Sequence, residues 1–274
     1  MPLSPTNLFH PTPPTPIQRF LHNPILFLAT YIYTHQPPAH RPPPPDPSGP
    51  APIKVVCISD THNTTPPIPP GDILIHAGDL THDGAGADLS AQLSWLRSQP
   101  HAHKIVIAGN HDLLLDAAWA SKASSTKRRV EEEEELSNDD NNDTTSNTPP
   151  VPALDWTELT YLAHNSTTIT IQNREIKIFG SPYTPKYGTW AFQYPPPSAR
   201  EIWHHAIPPD TDIVVTHGPM KGHLDTSGAS AAGCADLGRE IGRVRPRLAV
   251  CGHIHAGRGR EEVWWDAVQD AYDG

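Results

Sequence analysis

The sequence predicts an α/β layered fold, on three observations. Short apolar runs rich in β-branched residues recur along the chain, as in Val55-Val56-Cys57-Ile58 and Ile213-Val214-Val215-Thr216. Stretches with helical spacing fall between them, such as residues 87–98, where Leu89, Leu93 and Leu96 stand at i, i+4 and i+7. Five of the apolar runs also end on Asp, Asn or His, often beside a glycine. Strands alternating with helices stack as layers around a common core.

Residues 53–59 form the first strand, which ends in Asp60-Thr61-His62. An Asp-x-His step turns a carboxylate and an imidazole toward one point, which suits a metal ion. A Pro-rich loop (Pro66, Pro67, Pro69, Pro70) leads to a second buried strand, Asp72 to Ala77, closing on Gly78-Asp79. After the helix at 87–98, Lys104-Ile105-Val106-Ile107-Ala108 is a third strand, closing on Gly109-Asn110-His111-Asp112. A helix is expected from there through Leu113, Leu114 and Ala117 to about Trp119.

Residues 167–171 and 175–179 alternate as two strands, with Gln172-Asn173-Arg174 as the hairpin loop. A long aromatic loop follows, through Tyr183, Trp190, Phe192 and Tyr194. Ser198 and Glu201 read as a capping box opening a helix that carries Ile202, Trp203 and Ala206. Residues 212–216 form a buried strand ending at His217-Gly218-Pro219. A helix around residues 234–244 leads to Leu248-Ala249-Val250-Cys251, which closes on Gly252-His253-Ile254-His255.

The 274 residues suffice for one large domain. The net charge of -10 argues against a nucleic-acid-binding surface, so no specific nucleic-acid partner is expected. The cysteines Cys57, Cys234 and Cys251 lack zinc spacing. Cys57 and Cys251 lie in apolar runs and read as buried thiols, which favours a reducing, cytoplasmic compartment.

Two regions stand apart from the domain at 51–274. Residues 1–50 are a Pro-rich tail, expected to be largely disordered, because proline cannot donate backbone hydrogen bonds. Within it, residues 24–33 are apolar but too short for the ~20 residues of a membrane span. Two readings stay open: an apolar spot that packs on the domain, and a weak peripheral membrane contact with Tyr31 and Tyr33 at the headgroups. Residues 121–150, with Lys127-Arg128-Arg129, five glutamates from Glu131 to Glu135 and a polar run, are expected to be a disordered acidic insertion.

Asp60, His62, Asp79, Asn110, His111, His217, His253 and His255 all follow the carboxyl ends of strands, where α/β sheets build their sites. Taken singly, each is a common turn or capping residue. Together, oxygen donors and imidazoles on one edge suit two divalent ions sharing a bridging carboxylate.

The ordered set Asp60-x-His62, Gly78-Asp79, Gly109-Asn110-His111-Asp112, His217 and Gly252-His253-x-His255 resembles the calcineurin-like metallophosphoesterase superfamily. Ile58-Ser59-Asp60-Thr61-His62-Asn63, the stretch from Gly180-Ser181-Pro182-Tyr183 to Trp190-Ala191-Phe192-Gln193, and His217-Gly218-Pro219 resemble its metallophosphoesterase-domain-containing branch. The resemblance implies a four-layer α-β-β-α sandwich. It implies a first metal on Asp60, His62 and His255, a second on Asn110, His217 and His253, and Asp79 bridging them. It makes His111 the proton donor to the leaving group, with Asp112 either holding His111 or capping the following helix. His76, His82, His164, His204, His205 and His223 have no place in the motif set, although His223 and Asp225 suit a substrate loop. Chains of this kind commonly continue past Val263-Trp264-Trp265 with further strand sequence, which leaves open whether this chain is a shortened form.

The implied activity is hydrolysis of phosphate esters, diesters foremost, with manganese, iron or zinc as the metal. A phosphomonoesterase or protein phosphatase is the nearest alternative. A non-catalytic interaction protein on the same fold is the alternative from another class. It would be marked by loss of a ligand or of the proton donor, and none is lost here.

Overall fold

The computed structural model describes residues 15–35, 49, 51–119, 121, 153–227 and 230–265. Two four-stranded sheets face each other, with helices on the outside. The first sheet is β1 (Val55–Ile58), β2 (Ile73–Ala77), β3 (His103–Ile107) and β4 (Thr160–Leu162), in that order. All its pairs are parallel, with Val55 opposite Ile73, Ile73 opposite His103 and Ile105 opposite Thr160. The three residues of β4 are too short to show a period, and the sequence pattern does not reveal that strand.

The second sheet is built from β5 (Asn165–Ile171), β6 (Arg174–Ser181), β9 (Ile213–Thr216) and β12 (Leu248–Val250), ordered β12-β9-β6-β5. The β5–β6 hairpin is antiparallel and the other pairs are parallel. Ile171 pairs with Arg174, so the turn is only Gln172-Asn173, at φ 52° and 61°. Two positive φ values give the turn whose twist matches the strands. Among the described residues, two small ribbons accompany these sheets: β7 (Thr184–Pro185) with β8 (Gln193–Tyr194), and β10 (Thr226–Ser227) with β11 (Ser230–Ala231).

Strand alternation creates the layers. Ile73, Ile75, Ala77, Ile105, Ile107 and Leu162 point inward and meet Ile169, Ile171, Ile178, Ile213, Val215 and Val250 from the other sheet. The intervening residues face outward. Leu74 and Val106 pack under Leu89, Leu93 and Leu96 of a helix at Gly86–Arg97. On the other side, Phe179 and Val214 pack under Trp203, Leu237, Ile241 and Val244, which come from helices at Ala199–Trp203 and Ala235–Val244. Strands buried on both faces read as continuous apolar runs, as these do. The four layers are therefore helix, sheet, sheet, helix.

Four local expectations are corrected. The helix expected after Asp112 is broken: Leu113–Leu115 is a single 3-10 turn, and Asp116 is extended at φ -90°, ψ 107°. Asp116 Oδ1 accepts from the Ala118 and Trp119 N–H groups (2.9 and 3.2 Å), capping a fresh turn, while Oδ2 accepts from Phe192 N–H (2.8 Å). Ser198 makes no side-chain cap, because a 3-10 turn at Pro196–Ser198 already runs into the helix, which ends before Ala206. Cys57 is exposed on the edge strand β1 and Cys251 is half-buried; Cys234 is the buried thiol, accepting Leu237 N–H at the head of its helix. Residues 16–35, expected to lack structure, form α1 (Pro16–His22) and α2 (Pro24–His35). Each begins on a proline, whose missing N–H costs nothing in the first turn. The rest of the Pro-rich tail, save Thr15 and Gly49, and the acidic insertion from residue 122 lie outside the described residues.

Candidate metal centre

Loops from the carboxyl ends of five strands are laced together at one rim. Asp60 N–H donates to Gly78 O, Gly252 N–H to His217 O, and His217 Nδ1–H to Ala77 O, each at 2.9 Å. Two groups of side chains converge there, Asp60 with His62 and His255, and Asp79 with His217 and His253. In the first, His255 Nε2 lies 3.3 Å from Asp60 Oδ1 and 3.4 Å from His62 Nε2. In the second, His217 Nε2 lies 3.3 Å from Asp79 Oδ1 and 3.1 Å from Asn110 Oδ1, with the His253 ring 5.0 Å from the His217 ring. Asp79 faces both groups, because its other oxygen, Oδ2, is 3.8 Å from His62 Nε2.

The backbone is strained to achieve this. Asp60, His62, Asp79 and His253 have φ of 53°, 42°, 54° and 68°, in the left-handed region. Such residues cost ~1–3 kcal/mol each and cluster at functional sites. Two glycines make the close approach possible. A Cβ on Gly109 would collide with Asp79, and one on Gly252 with Ser59 Oγ and the Asp60 carboxylate. Asp60 in turn accepts the His253 N–H at 3.0 and 3.1 Å, locking the last loop onto the first.

Backbone carbonyls set the imidazole tautomers. His62 Nδ1 donates to Thr81 O (3.0 Å) and His217 Nδ1 to Ala77 O, so both turn Nε2 toward the centre. The electrostatics favour a cation. Burial opposes charge on Asp79, but His217 outweighs it and holds the carboxyl well below the usual carboxylate range. Burial likewise opposes charge on His217, yet Asp79 and Asp60 push it up to about 9. Burial and the nearby His217 bring His253 down to about 4. Positive charge beside the buried Asp79 carboxylate is thus favoured, while burial disfavours charge on His253. Carboxylate, amide and imidazole donors in this number suit a first-row divalent metal.

His111 stands beside both groups and in neither. Its N–H donates to Asp79 Oδ1 (2.8 Å), and its Nδ1 bonds the His82 carbonyl (2.5 Å). Its ring lies 4.9 Å from the His62 ring and 4.0 Å from the indole of Trp190.

Asp112 neither holds the His111 side chain nor caps a helix. Fully buried, it accepts from the N–H groups of Gly109 (2.8 Å), Leu80 (3.2 Å) and Thr81 (2.9 Å) and from Thr81 Oγ1 (2.8 Å). It therefore ties the loop after β3 to the loop after β2. His223 and Asp225 are buried: Asp225 accepts from Gly222 and Gly233 N–H, and His223 pairs with Glu261 at 3.1 Å, so they close their own loop. Among the described residues, His76, His164, His204, His205 and His223 join no ligand group. His76 Nε2 meets Thr61 Oγ1, and His164 Nδ1 meets Ser181 Oγ, each at 3.0 Å. Sequence reasoning missed the parts played by the His82 carbonyl, Asp112 and Trp190. The aromatic loop was the only signal for Trp190.

The model of the calcineurin-like phosphoesterase family matches residues 53–257, and the chain belongs to that family. Metallophosphoesterase domain-containing protein 1 of Homo sapiens is 37% identical over 219 residues, covering 78% of this chain and 64% of that protein. A UPF0046 protein of Caenorhabditis elegans is 34% identical over 211 residues, covering 76% of this chain and 65% of its own length. A protein of Emericella nidulans named probable rhamnogalacturonate lyase C is 43% identical over 258 residues, 93% of this chain but 22% of that protein. The chain thus spans between about a fifth and two thirds of these relatives.

Proposed function

We propose that the chain hydrolyses phosphate esters, diesters foremost, at a centre of two divalent cations. The observation that carries this reading is the Asp79 carboxylate, with Oδ1 toward His217 and Oδ2 toward His62. Asp60, His62 and His255 would hold one cation, Asn110, His217 and His253 the other, and Asp79 both. Manganese, iron and zinc all suit these donors. The bound pair would supply charge neutralisation for the phosphate and an activated water near neutral pH.

The remaining work falls to the chain's own residues. His111, with Nδ1 engaged by the His82 carbonyl, keeps Nε2 for the leaving oxygen and protonates it as the ester bond breaks. Asp112 holds the Gly109 loop so that Asn110 and His111 stay in register with Asp79. The described residues assembled at the centre include no lysine or arginine, which favours the single negative charge of a diester over a monoester's two. The lyase named for the Emericella nidulans relative is not carried over, because that name covers a protein of which this chain matches 22%.

The test is reconstitution with manganese, iron or zinc, followed by assay against a panel of diesters and monoesters. Diester turnover above monoester turnover is expected. Monoesters turned over faster would move the assignment to a phosphomonoesterase. Two bound metals with no turnover of either class would point to the non-catalytic alternative.

A further inference from the structure

We propose that the hairpin of α1 and α2 is a membrane-surface anchor that docks the chain on an anionic lipid bilayer. The two helices are joined through Asn23 alone, which is extended at φ -149°, ψ 91°. They fold against each other, with the rings of Phe20 and Phe27 edge-on at 5.6 Å. Apolar side chains on both helices face solvent. Ile17, Phe20 and Leu21 stand at i, i+3 and i+4 on α1, and Ile25, Leu28 and Ile32 at i, i+3 and i+7 on α2. Leu21 is 74% exposed and Ile25 81%, beyond what residues packed on the domain would keep. Contiguous exposed apolar surface of this kind marks an interaction site.

Length and charge decide the occupant. No described helix is long and apolar enough to cross a membrane. The 12 residues of α2 reach about 18 Å against a hydrocarbon core of ~30 Å. A hairpin of this size lies in the interface instead. The first acidic residue of the whole chain is Asp46, so the hairpin carries Arg19 with no opposing acidic charge, while the acidic excess lies beyond it. A cationic apolar hairpin is complementary to an anionic lipid surface, whereas two such hairpins gain nothing by charge from pairing with each other. Tyr31 is half exposed near the end of α2, its ring stacked on His35 at 4.1 Å, which places amphipathic rings at the level of lipid headgroups.

The experiment uses the full chain with sedimented vesicles, of phosphatidylcholine alone or with phosphatidylserine. Partitioning into the phosphatidylserine vesicles is expected, with weaker uptake by the neutral ones. The variant carrying Leu21→Asp, Ile25→Asp and Leu28→Asp should lose partitioning by at least tenfold while its thermal unfolding midpoint stays that of the parent. A parent that does not sediment with either vesicle overturns the proposal. Equal partitioning by parent and variant overturns it too, as does a parent that dimerises through the hairpin and ignores vesicles.

Discussion

The indole of Trp190 lies over the imidazole of His111, centroids 4.0 Å apart and planes tilted by 31°. The loop holding Trp190 is pinned by Ala191 N–H donating to Asn110 O (3.1 Å) and by Phe192 N–H donating to Asp116. His111 is therefore clamped on its ring face by Trp190 and on Nδ1 by the His82 carbonyl. Trp190→Ala should leave metal content unchanged and lower kcat by about tenfold for esters with alkyl leaving groups, with a smaller loss for a nitrophenyl ester. His111→Ala should show the same leaving-group pattern with a larger loss, ~10²–10⁴. Trp190→Phe should recover most of the activity, since it keeps a ring on His111. Equal slowing of both ester types by Trp190→Ala would mean that the indole does not act through His111.

Asp79 lies between the two imidazole groups and is 2% exposed, so no water can replace its carboxylate cheaply. Asp79→Ala should cost both metals, whereas His253→Ala should cost one. Metal counting by mass spectrometry on the purified variants checks this. Two tightly bound ions in Asp79→Ala would refute the bridging role.

Much of the candidate centre was legible in the sequence because its candidate ligands follow apolar runs. Strand period and strand end are both local signals. Asp60, Asp79, Asn110, His217 and His253 could therefore be placed on one edge before any contact was known. The tertiary partners were not legible. Asp112 looks like a helix cap in Gly-Asn-His-Asp, and only the position of Leu80 and Thr81 makes it a tie between loops. The break at Asp116 arises from Phe192, 76 residues away in sequence. Cys57 reads as core from its neighbours, yet β1 is an edge strand, and edges are a property of the sheet. The two helices at 16–35 were hidden by proline counting, which ignores that a first-turn proline favours a helix.

Gly252 supports a sharper steric prediction. Any Cβ there meets Ser59 Oγ and Asp60 Oδ2, so Gly252→Ala must displace the Ser59 hydroxyl and disturb the Asp60 carboxylate beside His255. A metal bound by Asp60, His62 and His255 should be held at least tenfold more weakly, while one at the Asp79–His217 side should be unaffected. Gly242→Ala is the control, since a Cβ at Gly242 meets nothing within 4 Å. Competition against a chelator, with both variants in parallel, measures the difference. Equal metal affinity in Gly252→Ala and Gly242→Ala would show that the first loop yields without cost.

Away from the candidate metal centre, Glu240 makes stability depend on pH on the acid side. Its Oε1 accepts from Ile207 N–H (3.0 Å) and Arg243 NH2 (2.6 Å), and its Oε2 from Arg243 Nε (2.9 Å). The carboxylate is 4% exposed and joins the helix at Ala235–Val244 to the loop leading into β9. Burial alone would raise its carboxyl, but the Arg243 fork and the Ile207 N–H prevail and hold it below the usual glutamate range. The folded state therefore binds this proton less readily than the unfolded chain. The stability it contributes is complete above the unfolded value of about 4.3 and fades as pH falls through the lower folded value. Glu240→Gln removes the charge and keeps one acceptor, so it should cost about 1–2 kcal/mol at pH 7. For a chain of this size that lowers Tm by roughly 2–6 °C. The gap between parent and variant should narrow in melts taken at successively lower pH below 4. A gap that stays constant from pH 7 down to pH 3 would mean that the Arg243 fork contributes packing alone and no charge.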